Sequence, residues 1–320
     1  MNTMAAQVAM QEVVIVGAGA MGCLFAARLQ EAGATVTLID NNAERLELIG
    51  KRGLELIDDF GCRLLKPRAL LAHQLSGSVD LVVLFTKGMH SAPAVRSIAH
   101  LAQFRPVALT LQNGLGNAEI LAGTFGADRV LMGTAHVPAD LKAPNTVISH
   151  GFAHVRVGGY VPAARRLLDP VAELLSRSRF EATIAADIET AVWEKLAFNA
   201  ALNAMAMVTG AANGEMNNGY GLRVARAVVD ETTEVARAIG LELDPQQIKD
   251  AVGMALVQHP AHKASMLQDR EYARPTEIEN INGAIVTIGA KCGIATPVNA
   301  TLADLVRIIE AKSLGNPLPS

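Results

Sequence analysis

The β-branched run Val13-Val14-Ile15-Val16 passes directly into Gly17-Ala18-Gly19-Ala20-Met21-Gly22, and the residues that follow, 20–32, carry a helical periodicity. A G-x-G-x-x-G placed between a strand and a helix leaves few folds open. Its first glycine permits a tight turn, its second lets backbone approach a pyrophosphate, and its third lets the helix pack closely on the strand. Unpaired N–H groups at the helix start favour phosphate oxygens. A second strand-like run, Thr35 to Ile39, ends in Asp40, about twenty positions on, where such loops carry an acidic residue. The opening segment therefore reads as a βαβ unit that binds a dinucleotide.

Further apolar runs at residues 79–85, 106–112 and 129–135 alternate with helical patterns at 93–102 and 118–125. This alternation argues for an α/β, Rossmann-type doubly wound parallel sheet. Beyond residue 184 the period changes. Long helical stretches at 189–208, 222–239, 245–258, 277–292 and 297–311 are separated by breakers at 210–215, 240–245 and 293–297. The second half reads as an all-α C-terminal domain. A chain of 320 residues exceeds what one core usually sustains, about 250–300 residues. The expected division is a dinucleotide-binding domain over 1–186, with 1–10 a loose tail, and a helical substrate or catalytic domain over 187–320.

Composition narrows the partners. Half the residues are hydrophobic, 18% are charged and the net charge is -3, a balance that favours neither disorder nor nucleic acid and suits a small metabolite. No apolar run approaches the roughly 18 residues of a membrane span, and the N-terminus lacks a secretory pattern. A cytoplasmic enzyme is expected, with no membrane partner. Cys23, Cys62 and Cys292 are far apart and offer no disulfide framework. The histidines show no metal-ligand spacing, and His259 and His262 read as ordinary helix-end residues, so no metal is expected. The apolar helical half is compatible with a homodimer.

Three places are candidates for chemistry. Lys195, Asn199 and Asn203 recur every four residues and share one helix face among alanines. Buried amides are costly unless bonded, about 1–3 kcal/mol each, so this stripe reads either as a ligand-facing surface or as groups that satisfy one another at an interface. In Thr276-Glu277-Ile278-Glu279, Thr276 can cap a helix with Glu279 at the capping-box position, which leaves Glu277 unexplained. Residues 111–116, Leu-Gln-Asn-Gly-Leu-Gly, join a strand end to a glycine turn, where open α/β sheets bind ligands. At the cofactor end, the Asp40 carboxylate suits both ribose hydroxyls and repels a 2′-phosphate, which leans towards NADH. Arg45, Lys51 and Arg52 read as solvated helix-face charges.

Taken in order, GAGAMG, TKG (86–88), QNGLGN (112–117), MGT (132–134), WEKLAFNAALN (193–203), NGE (213–215), SMLQD (265–269) and TEIENING (276–283) resemble the ketopantoate reductases, the 2-dehydropantoate 2-reductases of pantothenate biosynthesis. The resemblance implies NAD(P)H-dependent reduction of 2-dehydropantoate to (R)-pantoate. It implies Lys195 as proton donor and Glu277 beside the ribose and the reacting centre, orienting Lys195 or the substrate hydroxyl. Asn199, Asn203 and Asn213 would contact substrate, and Ser265 would hold its carboxylate. Asn113 would lie at the nicotinamide side, Lys87 near the adenosine end, and Ala139 among the cofactor contacts with Gly17, Ala18, Gly19, Ala20, Met21, Gly22 and Asp40.

Two positions depart from the pattern. Many members carry a basic residue after the second strand, where this chain has Asp40 and Asn41, so the family's NADPH and this chain's Asp40 point different ways. His262 stands where the family often has a substrate-touching asparagine, which leaves room for a D-2-hydroxyacid dehydrogenase of another branched 2-keto acid. A sensor that binds dinucleotide without turnover would leave Lys195 and Glu277 idle.

Overall fold

The structure, a computed structural model, describes residues 10–315. The chain packs as two compact units, one formed by the chain to Gln112 with Gly116–Ile188, the other by Asn113–Leu115 with the chain from Glu189. The first unit runs β1 (Glu12–Val16), α1 (Ala20–Glu31), β2 (Thr35–Ile39), α2 (Ala43–Arg52), β3 (Leu54–Asp58), β4 (Gly61–Leu65), β5 (Arg68–Leu70), β6 (Leu81–Leu84), α3 (Gly88–Ser97), β7 (Val107–Thr110), α4 (Asn117–Phe125), β8 (Val130–His136), β9 (Asp140–Ala143), β10 (Thr146–Ser149), β11 (His154–Gly159), α5 (Leu168–Arg177) and β12 (Glu181–Ile184). The expected loose tail lies outside the described residues except for Met10, which is buried in the core.

Both faces of the central strands are apolar, and alternate residues enter different cores. Val13, Ile15, Leu81, Val83, Val107 and Leu109 join one buried cluster, while Val14, Val16, Val82, Leu84 and Ala108 join another. Helices on both faces are what continuous β-branched strands require. The main sheet has the order β12-β11-β8-β7-β6-β1-β2-β5. Its pairs are parallel except β8 with β11.

A second sheet, β4-β3-β10-β9, departs from the single-sheet expectation. Its strands mix charged and apolar residues, and β3 pairs with β10, which lies far along the chain. The helix α1 is tied to this sheet by ions. Arg28, 4% exposed, lies 3.4 Å from Asp58, which also accepts from Arg63, and Arg63 in turn bonds Glu31 of α1. Buried charges are tolerable only when paired in this way.

The helix expected over 93–102 begins at Gly88, with Pro93 inside it and a tight 3-10 turn over Ala99–Phe104. Proline at 93 removes only a bond to the carbonyl of Met89, an exposed residue whose oxygen water can satisfy.

The second unit is helical: α6 (Ile188–Thr209), α7 (Asn213–Met216), α8 (Gly219–Ala238), α9 (Pro245–Gln258), α10 (Ser265–Glu271), α11 (Asn282–Cys292) and α12 (Pro297–Leu314). Side chains of Asn218 and Asp244 cap α8 and α9 by accepting first-turn N–H groups. Along α6, Ala197, Ala200, Ala201, Ala204 and Ala206 are fully buried, so neighbouring helices approach its backbone closely. A helix expected from residue 277 starts instead at Asn282. Thr276 Oγ1 accepts from Ile278 N across a turn, and Glu279 forks onto Arg307 rather than completing a capping box. No helix among the described residues is long and apolar enough to cross a membrane.

Candidate active site

Three glycines of the loop have distinct reasons. A Cβ on Gly17 would come within 2.7 Å of Thr86 N, at a φ of +108° that disfavours side chains, and one on Gly22 would strike Gly17 O at 1.8 Å. Gly19 is different. It has an ordinary φ of −72° and its missing Cβ would meet nothing within 4 Å. The protein itself gives no packing reason for a glycine there, and the space lies at the N-terminus of α1, whose first turn carries no acidic residue. A dinucleotide pyrophosphate fits this cradle, met by backbone N–H groups and the positive end of the helix dipole.

The loop is held from β2. Gly17 N donates to Ile39 O at 2.7 Å, and Ala18 N donates to Asp40 Oδ2 at 2.6 Å. The other carboxylate oxygen of Asp40 accepts from Asn42 N. Arg45 donates through Nη1 to Ala18 O at 2.9 Å, so its guanidinium is engaged in closing the loop. The sequence points Asp40 at ribose and Arg45 at solvent; the structure adds a scaffolding role for both. Burial pushes the thiol of Cys23, on the same turn, up to about 12 and keeps it inert.

At the carboxyl ends of β6 and β7 a polar cluster organises the next loops. Gln112 Nε2 donates to Thr86 O at 2.5 Å and to Ser91 Oγ at 2.9 Å, while Ser91 donates to Asn117 Oδ1. Nothing in the sequence gives Ser91 or Asn117 a role of its own; the TKG and QNGLGN motifs, the second of which ends in Asn117, signal the region. Lys87 occupies the N-cap of α3, and Ala139 lies between β8 and β9, packed against the larger core of this unit.

In the helical unit, Lys195, Asn199 and Asn203 lie on one face of α6, with Lys195 and Asn199 part-buried and Asn203 6% exposed. Burial pushes the Lys195 ammonium down to about 8, while the negative charge of Glu277 pulls it back up. Glu277 sits in the turn before α11 and is part-buried. Asn199 Nδ2 donates to Asn113 Oδ1 at 3.4 Å, so the strand-end amide and the α6 amide meet within this unit. Asn213, at the start of α7, donates through Nδ2 to Ala255 O at 3.2 Å, but its buried Oδ1 has no hydrogen-bond partner. An acceptor so placed is costly unless an ordered water or a ligand meets it. The backbone of Asn213 donates to His262 O, and Ser265 is exposed at the first position of α10.

The arrangement thus couples Lys195 with Glu277 and joins Asn113 to Asn199. Asn213 is joined to the loop before Ser265. One participant to which the sequence assigns no role, although it stands within TEIENING, is Asn280: its Nδ2 donates to Leu115 O and its own carbonyl accepts from Leu115 N. Among the described residues there is no group of three or more His, Cys, Asp or Glu side chains able to hold a metal ion.

Comparison with known proteins places two family models end to end on the chain. Residues 13–161 match "Ketopantoate reductase PanE/ApbA" and residues 187–310 match "Ketopantoate reductase PanE/ApbA C terminal". The 2-dehydropantoate 2-reductase of Halobacterium salinarum is 33% identical over 300 residues, covering 93% of this chain and 98% of that protein. The enzyme of the same name from Archaeoglobus fulgidus is 34% identical over 305 residues, covering 94% and 98%. Among solved structures, a D-mandelate dehydrogenase in complex with NADH and anilino(oxo)acetate superposes with a TM-score of 0.91 at 28% identity, covering 95% of this chain and 99% of that one.

Proposed function

The chain belongs to the ketopantoate reductase family, and from that premise we propose that it is an NAD(P)-dependent oxidoreductase reducing 2-dehydropantoate to (R)-pantoate with Lys195 as proton donor. The observation that carries the reading is a desolvated lysine at about 8, charge-coupled to Glu277 and followed on its own helix face by two amides. A lysine in that range is mostly protonated at neutral pH yet able to give its proton up.

When bound, a reduced nicotinamide would supply the hydride for C2 of the keto acid. The Lys195 ammonium donates a hydrogen bond to the keto oxygen, stabilises negative charge as it develops there, and transfers its proton to that oxygen. Glu277 keeps the ammonium charged against its desolvation and orients it. Asn199, Asn203 and Asn213 offer amide contacts to substrate, Ser265 a hydroxyl to its carboxylate, and Asn113 an amide at the nicotinamide side. The loop from Gly17 to Gly22 would take the pyrophosphate, with Lys87 near the adenosine end and Ala139 among the cofactor contacts.

For the cofactor we infer NADH over NADPH. Asp40 follows β2 with a carboxylate that repels a 2′-phosphate, and Arg45 gives one of its N–H groups to Ala18 O. The D-mandelate dehydrogenase similar to this chain was solved with NADH, which supports a nicotinamide dinucleotide as the cofactor class. The same likeness favours one second reading, a D-2-hydroxyacid dehydrogenase of a different 2-keto acid. A homodimer remains part of the proposal on the apolar character of the helical half, and a cytoplasmic location on cysteines that offer no disulfide framework.

Initial rates with 2-dehydropantoate and with the keto acid of mandelate, each with NADH and NADPH, test these readings together. The highest kcat/KM is expected for 2-dehydropantoate with NADH, and a higher value for the mandelate keto acid would install the second reading. Lys195→Ala is expected to lower kcat by about 10²–10⁴-fold with dinucleotide binding retained. Turnover at the parent rate would remove Lys195 from its role.

A further inference from the structure

Glu277 lies on a non-helical turn, so its position depends on what grips that turn. Two grips come from α12. Glu310 accepts from Thr276 N on one flank, and Arg307 forks onto Glu279 through two 2.7 Å bonds on the other. A third grip comes from the segment Asn113–Leu115. Leu115 N donates to Asn280 O at 2.9 Å, and Asn280 Nδ2 donates back to Leu115 O at 3.1 Å. Between them Gly114 lies against the Asn280 backbone: at a φ of +78°, a Cβ there would fall 2.4 Å from Asn280 O. The junction is closed from both sides, by a residue whose side-chain amide donates and whose main-chain carbonyl accepts, and by a glycine that leaves no gap.

We propose that Asn280 is a positioning residue for the reduction, fastening the segment that carries Asn113 to the turn that carries Glu277. Through Asn113 the junction reaches Asn199 at 3.4 Å, and through the turn it reaches the charge that acts on Lys195. One side chain then sets both the nicotinamide-side amide and the acid–carboxylate pair. Asparagine suits the place because its N–H must meet a carbonyl; an aspartate would set a carboxylate oxygen against Leu115 O. The inference rests on the proposed roles of Lys195 and Glu277.

The test uses the full chain with Asn280→Ala and the isosteric Asn280→Asp, with Gly114→Ala attacking the junction from its other side and Lys195→Ala in parallel. Both position-280 variants are expected to lose about ten- to a hundredfold in kcat. Their dinucleotide affinity should fall far less than kcat, since the pyrophosphate cradle is formed by backbone and remote in sequence from position 280. The alkaline limb of kcat/KM should move to lower pH, because a Glu277 held less closely raises the lysine less. Gly114→Ala should show the same paired signature, and Asn280→Gln, which keeps the donor, should recover part of the rate. Variants that lose only thermal stability, with kcat and the alkaline limb as in the parent, would reduce Asn280 to a structural contact and overturn the proposal. An active Lys195→Ala would instead fell the underlying reading, whatever position 280 does.

Discussion

Desolvation acts on Lys195 and Cys23 alike by favouring the neutral form, and the outcomes diverge because of charge sign. It lowers the lysine to about 8, which suits the proton donor proposed for the reduction, and raises the thiol to about 12, which makes it unreactive. In the proposed reduction the lysine acts in its protonated form. The kcat/KM for keto-acid reduction should therefore be flat below pH 8 and fall tenfold per unit above it. Glu277→Gln should move that limb to lower pH, since Glu277 is what raises the lysine; a pH profile from 6 to 10 checks both. An unmoved limb in Glu277→Gln would mean that the two charges do not act on each other during turnover. Lys195 was legible in the sequence because a cation among alanines needs a reason. Asn280 had no such local signal: its partner lies 165 residues away, and an asparagine in a polar turn looks ordinary.

Between elements, the helical unit is braced by a buried polar chain. Glu231 of α8 accepts from Val298 N and Asn299 N at the start of α12 and from Asn299 Nδ2. Asn299 Oδ1 accepts from Asn282 Nδ2 at the start of α11, and the same Nδ2 donates to Ala200 O of α6. Asn282 and Asn299 are fully buried, so each partner removed strands another. Asn299→Ala is expected to lower the unfolding free energy by about 1–3 kcal/mol in urea, with dinucleotide affinity unchanged. A neutral effect would show that water replaces the lost bonds. The helices themselves were legible from periodicity and breakers, but the start of α11 was not, because Thr276 and Glu279 imitate a capping box while their bonds go elsewhere. The small second sheet was missed because β10, which pairs with β3, lies far along the chain, although the hairpin of β3 with β4 is local.

At the scale of the molecule, binding and folding are linked. A ligand held by the folded chain alone stabilises it by about 2.7 kcal/mol at a hundred times its Kd. At equal concentration NADH should raise the melting temperature more than NADPH, and Asp40→Ala should narrow that gap; equal shifts in the parent would contradict the role given to Asp40. Gly19→Ala should melt near the parent without ligand yet lose the ligand-induced rise, because its added methyl meets no protein atom within 4 Å. The change from alternating strands to long helices was plain in the sequence, which put the division at 186/187; the two folded units meet along the chain at Ile188 and Glu189. What no local pattern announced is that Asn113–Leu115 belongs with the later half.

That excursion makes the helical half a discontinuous module. A fragment cut at residue 189 would leave the Asn280 amide and carbonyl without the Leu115 groups that answer them. A chimaera joined there from two relatives would draw position 114 from one parent and position 280 from the other. Crossovers that look clean on a linear map would thus split a matched pair, and viable hybrids should be those whose parents agree on both.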